Sequence, residues 1–126
     1  MNNLHKVERL HSKTVIDQMF TGGISQSFSV FPLRVVYMPM LEQEASASIL
    51  VSVSKKRFKR AVKRNRVKRQ IREAYRKNKH ELLNKLNERE QKLAIAFIYL
   101  SDELISSVTL EEKMKVLLAR IIEKSI

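Results

Sequence analysis

Residues 47–77 read ASILVSVSKKRFKRAVKRNRVKRQIREAYRK, and the change of period inside that run decides the fold. From Ala47 to Ser54 apolar side chains alternate, with Ile49, Val51 and Val53 on one side, which predicts a strand with one buried face. Beyond Lys55-Lys56 the period becomes helical. Val67, Ile71, Ala74, Tyr75 and Leu82 fall on one stripe, so a helix is expected from about Arg60 to Leu86. Asn65, Arg69, Arg72 and Arg76 lie on the side opposite Val67. One face packs, and the other is almost entirely cationic.

Outward from this run, Lys92 to Leu100 is a second apolar stretch of strand length. A strand–helix–strand unit therefore spans 47–100 and implies a parallel or crossover pairing. Upstream, residues 7–20 read as a short helix carrying Leu10, Val15, Ile16, Met19 and Phe20, closed by Thr21-Gly22-Gly23. Ser25 to Met38 is rich in β-branched and aromatic residues. Within it Pro32, which cannot donate to a ladder, marks an edge or a break between two short strands. Residues 38–44 read as a loop. Downstream, Thr109-x-x-Glu112 resembles a capping box opening a helix over 109–125, with Leu110, Met114, Leu117, Leu118, Ile121 and Ile122 as its buried face. The order helix, three strands, helix, strand, helix predicts an α+β fold, a small sandwich of one sheet covered by helices. The 126 residues, 1–126, suit one domain, and a hydrophobic share of 44% is too high for a disordered one.

The formal net charge is +12, and its distribution says more than its size. Fourteen Lys and Arg lie between Lys55 and Lys79 against a single acid, Glu73, while the rest of the chain is close to neutral. A solvated helix face ordinarily interleaves signs to gain i,i+4 pairs, and like charge at this density repels itself. A polyanion is the partner that makes sense of it. A DNA-reading helix needs a helix-turn-helix partner, and a strand precedes this one. A membrane-surface helix needs bulky apolar residues opposite the charge, where this one has Val, Ile, Ala and Tyr. RNA phosphates fit best, because a guanidinium fork can grip a phosphate or stack on a splayed base. The candidate RNA-binding residues are Lys59, Arg60, Lys63, Arg64, Asn65, Arg66, Lys68, Arg69, Arg72 and Arg76. Most of the aromatics sit in core-like patterns; Phe20, ending a short helix just before Gly22-Gly23, is the exception that could border a groove for a single strand.

The residues offer little for catalysis by the protein itself. His5, His11 and His80 are scattered and not at metal-ligand spacing, the acids are dispersed, and no nucleophile-elbow, P-loop or zincin motif occurs. Cys is absent, which excludes disulfides and thiolate chemistry. The N-terminus lacks a signal-peptide stretch, and the longest apolar run, Leu93 to Leu100, is too short for a membrane span. The expected compartment is the cytoplasm, without a membrane partner.

At the basic helix a family pattern is met. Ser54-Lys55-Lys56, then Arg60 to Arg69 with Arg64-Asn65-Arg66 at its centre, then Ile71-Arg72-Glu73, closely resembles the signature of the bacterial ribonuclease P protein subunit. Glu8-Arg9-Leu10 and Phe20 with Gly23 extend the likeness over nearly the whole chain. The resemblance implies a left-handed βαβ crossover, where ordinary chirality rules predict a right-handed one. It also implies that an RNA subunit performs Mg²⁺-dependent removal of the 5′ leader of precursor tRNA, with Mg²⁺ bound mainly by that RNA and none held tightly by the protein. By match, Arg64, Asn65, Arg66, Lys68, Arg69 and Arg72 face the catalytic RNA, while Phe20, Lys55 and Lys56 line a cleft for the leader. Ile16 stands where the family often has an aromatic, so it offers the leader an apolar contact rather than a stacking one. The implied partners are ribonuclease P RNA and precursor tRNA, with no obligate protein partner. The rival readings are a ribosomal or general RNA-chaperone protein using the same helix, and a stand-alone nuclease.

Overall fold

The computed structural model describes residues 8–10, 13–21, 23–40 and 45–125. Its elements are α1 (Lys13–Thr21), β1 (Gln26–Val30), β2 (Leu33–Met40), β3 (Ala47–Ser52), α2 (Ala61–Asn78), α3 (His80–Glu88), β4 (Lys92–Tyr99) and α4 (Ser107–Ser125). The four strands form one mixed sheet in the order β1-β2-β4-β3. β1 with β2 and β2 with β4 run antiparallel, while β3 and β4 are parallel neighbours joined through α2 and α3. The expected α+β architecture and crossover pairing are present.

β4 is central, and Leu93 to Phe97 are all buried because both faces of the strand are covered. On one face Val35, Ile49, Ile95 and Phe97 pack with Val67, Ile71 and Tyr75 of α2 and with Leu110, Met114 and Leu117 of α4. The Tyr75 and Phe97 rings meet at 5.7 Å between centroids. On the other face α1 lays Met19 over Val36, Met38, Ala94 and Ala96. Two alanines in the strand below leave room for that helix to approach closely.

Where the structure departs from the sequence reading, long-range contacts are the reason. Residues 8–10, expected in a helix over 7–20, instead run beside the outer edge of β3, where Leu10 N–H donates to the Ile49 carbonyl at 2.7 Å. An edge strand offers unpaired carbonyls, and this segment takes one. Residues 7, 11 and 12 of that expected helix, with His5 and His11, lie outside the described residues, and His80 is exposed. The expected loop at 38–44 begins later, because β2 continues to Met40, with Pro39 opposite Leu93; residues 41–44 lie outside the described residues. β1 reaches only as far as the Gln26–Tyr37 pair, so Pro39 sits where β2 has a free side and needs no donor there.

The long helix expected over 60–86 is two helices separated at Lys79. Asn78 Nδ2 donates to the Ala74 carbonyl at 2.8 Å, competing locally with the helix ladder. The Lys79 side chain turns inward and Nζ donates to both carboxylate oxygens of Glu8 at 2.9 Å, with both side chains almost wholly buried. α4 starts two residues earlier than expected. Its cap is Ser106, whose Oγ accepts from Thr109 N–H at 3.2 Å, so Thr109 lies in the first turn rather than at the cap.

The Glu8–Lys79 pair fastens the N-terminal segment to the α2–α3 junction, and a buried charge without its partner is costly. Lys79→Met is expected to lower unfolding free energy by about 3–5 kcal/mol. Adding Glu8→Leu should restore a large part of that loss. Urea denaturation of the two variants checks this; equal stability of single and double variants would refute the pairing.

Candidate nucleic-acid interface

α2 begins without help from its own sequence. Its N-cap, Arg60, makes no side-chain capping bond and the first turn holds no acid. Positive side chains therefore gather at the end where the helix dipole is already positive, which favours an anion from outside. Arg64 steadies the approach to this end: Nη1 donates to the carbonyls of Phe58 at 2.9 Å and Lys59 at 2.8 Å. Phe58 is buried against Tyr99, ring centroids 6.1 Å apart, so the turn leading into α2 is anchored to the end of β4.

The expected RNA-binding residues are not equivalent. Lys59, Arg60, Lys63, Asn65, Arg66 and Arg69 are exposed, while Arg64, Lys68, Arg72 and Arg76 are half-buried. Arg76 is gripped by Glu73 in a two-pronged pair, 2.6 Å from Nη2 and 3.0 Å from Nε. That bond holds the Glu73 carboxyl below its ordinary range and Arg76 above its own. Arg57, another cation of the basic run, pairs with Asp102 at 3.1 Å. Arg72 is held below the usual arginine value, first by burial and then by the charge of Arg9. Arg9 thus joins the basic surface from the far end of the sequence. Charge counting missed it because it stands outside the dense run, and only the fold brings it to α2.

Of the expected leader-cleft residues, Ile16 and Phe20 lie on α1, and Lys55 and Lys56 follow the end of β3. Ile16 packs in the smaller core, and Phe20, one turn on, is half-exposed at 49%. Lys55 and Lys56 are exposed just after β3, in a turn where Lys56 N–H donates to Ser54 Oγ at 3.0 Å. They stand near the Ser52–Ile98 end of the sheet, whereas the link from α1 enters β1 at the Gln26–Tyr37 end. Arg34 stands at the same end of the sheet as Lys55 and Lys56. It is exposed, pairs in register with Ile98, and alternates with Val36 and Met38, which places it on the α1 face. Sequence reasoning missed it, although it is the only charged residue in β2 and the alternation of that strand would have placed it.

Comparison with known proteins settles the family. The family model described as Ribonuclease P matches residues 4–122. The ribonuclease P protein component of Porphyromonas gingivalis is 52% identical over 119 residues, covering 94% of this chain and 85% of the relative. That of Chlorobium phaeobacteroides is 36% identical over 92 residues, covering 70% of this chain and 62% of the relative. Among solved structures, the RNase P protein from Thermotoga maritima superposes with a TM-score of 0.69 at 24% identity, covering 90% of this chain and 97% of that one. The Staphylococcus aureus RNase P protein gives 0.72 at 20% identity, covering 91% and 95%. These two likenesses show the fold, and the sequence matches show the lineage. The chain belongs to the ribonuclease P protein component family and is a protein subunit of ribonuclease P, a ribonucleoprotein of tRNA processing.

Proposed function

We propose that the exposed cations of α2, joined by Arg9, bind the catalytic RNA, and that the α1 face of the sheet binds the 5′ leader of precursor tRNA. The RNA carries the hydrolytic chemistry, and the protein positions and neutralises. The carrying observation is the segregation of charge onto one helix face whose opposite face is locked into the core. Arg66 and Arg69 are its centre, exposed one turn apart on a backbone that packing holds rigid. Phe20 supplies an apolar platform, and Lys55 and Lys56 supply phosphate contacts for an unpaired strand.

A divalent cation does not fit this surface. Ammonium and guanidinium groups repel Mg²⁺, and among the described residues no group of three or more His, Asp or Glu gathers to hold a metal. The protein's own contribution is electrostatic: cations placed against crowded phosphates relieve repulsion that counterions otherwise have to screen. Among the described residues no helix is long and apolar enough to cross a membrane.

Reconstitution with a ribonuclease P RNA at low Mg²⁺, scoring 5′-leader cleavage with and without the protein, tests the reading directly. Cleavage should rise when the protein is added, and the logarithm of RNA affinity should fall with the logarithm of salt by about 0.7–0.9 per phosphate neutralised. Unchanged cleavage or a flat salt response would overturn the proposal. Arg66→Ala or Arg69→Ala should weaken RNA binding and raise the Mg²⁺ requirement while stability stays within about 0.5 kcal/mol. Arg64→Ala behaves differently: losing its two carbonyl bonds should cost about 1.5–3 kcal/mol of stability, read by thermal unfolding. Phe20→Ala should reduce the preference for leader-bearing over mature tRNA by more than it reduces affinity for the catalytic RNA; equal losses in a paired binding assay would count against the cleft.

A further inference from the structure

At the end of the sheet where β2 finishes and β4 begins lies a cavity of about 340 Å³, walled by Tyr37, Pro39, Met40 and Leu93. Lys92, Lys124 and Glu90 also line it, the first two cationic residues and the third an acid. Its volume and its mixture of apolar wall with a few charged groups suit a small ligand or one nucleotide. The wall is pre-organised, since the Tyr37 hydroxyl already donates to Gln26 Oε1 at 3.0 Å. Lys124 is placed by packing as well, its Nζ lying 4.8 Å from the centroid of the Phe28 ring.

Glu90 supplies an independent observation. Its φ is +52°, in the left-handed region, where α3 ends and Gln91 N–H donates to the Leu86 carbonyl at 2.9 Å. Chains ordinarily place glycine at such a helix terminus, because a Cβ there is strained. A carboxylate-bearing residue kept in that conformation at the mouth of a cavity points to use.

We propose that this cavity takes an unpaired guanine nucleotide of RNA, with Glu90 accepting from the base and Lys92 and Lys124 holding its phosphate. Guanine offers N1–H and the N2 amino group side by side, a pair of donors that the two oxygens of one carboxylate can accept. The apolar wall takes the purine face, and the ammonium groups suit the phosphate as point charges. The source of the ligand rests on the RNA-binding reading above, but the cavity stands apart from α2 and the leader-cleft residues.

The test is titration of the full ¹⁵N-labelled chain with 5′-GMP, 5′-AMP and inorganic phosphate. GMP should shift the amides of Tyr37, Glu90, Gln91 and Lys92 saturably, and AMP should bind at least about fivefold more weakly. Lys92→Ala with Lys124→Ala should weaken GMP about tenfold. Glu90→Gly should relieve the strained turn and raise the Tm by roughly 3–5 °C while making GMP and AMP equivalent. Shifts confined to α2, or equal responses to GMP and phosphate, would show electrostatic collection only and overturn the site. A Glu90→Gly protein that still prefers GMP would overturn the role of the carboxylate. Cavity shifts with failed ribonuclease P reconstitution would leave the site standing and remove the RNA as its ligand source; successful reconstitution without cavity shifts would remove the site alone.

Discussion

A helix that repels itself has to be held against a sheet by a narrow apolar stripe, and every functional property of this chain follows from how that is done. Val67, Ile71, Ala74 and Tyr75 are the buried positions of α2, and the first two and Tyr75 are completely buried. Burying a large side chain contributes roughly 1.5–3 kcal/mol, whereas a like-charge i,i+4 pair at the surface costs a few tenths. Packing therefore wins with only three large anchors. The cations need not be neutralised by the protein's own acids, and Arg66 and Arg69 face outward on a helix that has no freedom to turn away.

Some of the basic run is nonetheless consumed by the fold. Lys79 goes inward to Glu8, Arg76 to Glu73, Arg57 to Asp102, and Arg64 to two backbone carbonyls. Arg57 and Arg64 brace the turn and first helical turn where α2 follows β3, and Arg76 and Lys79 lie where it gives way to α3. The exposed ones concentrate in the first two turns of α2. Tied and presented cations are interleaved along the run, an arrangement that fixes where a phosphate can be met as well as how strongly.

The local parts of this design were readable from the sequence because they depend on period and on neighbours. Alternation at Ile49, Val51 and Val53 gave β3, and the stripe through Val67 and Tyr75 gave the buried face of α2. What escaped depends on residues far apart in the chain. Glu8 and Lys79 are separated by 71 positions, and nothing near either one announces the other. The same contact explains why residues 8–10 are not helical and why the helix divides at Lys79. The loop expected over 38–44 begins later for the converse reason: a strand interior ordinarily rejects a proline such as Pro39, but the short reach of β1 leaves that end of β2 unpaired on one side. Within the candidate interface, the α2 arginines were visible as a run and Arg34 was open to the alternation of β2, while the place of Arg9 beside Arg72 became visible only in the fold.

The sheet also sets distances that charge alone cannot. β4 runs from Lys92, beside the cavity, to Tyr99, beside the Phe58 turn that leads into α2. The seven residue-to-residue steps of β4 cover roughly 23 Å, and a four-stranded sheet covered on both faces does not stretch or bend over that length. Cations on a flexible tail would attract RNA equally well but could accept it in any orientation. Cations at a fixed separation from a shaped, partly apolar cavity accept one orientation far better than others, because both contacts are made only when the partner's geometry matches the spacing. On the proposed reading, in which the protein's contribution to its ribonucleoprotein is positional, this rigidity is the useful property, and β4, one of two interior strands, joins the two ends.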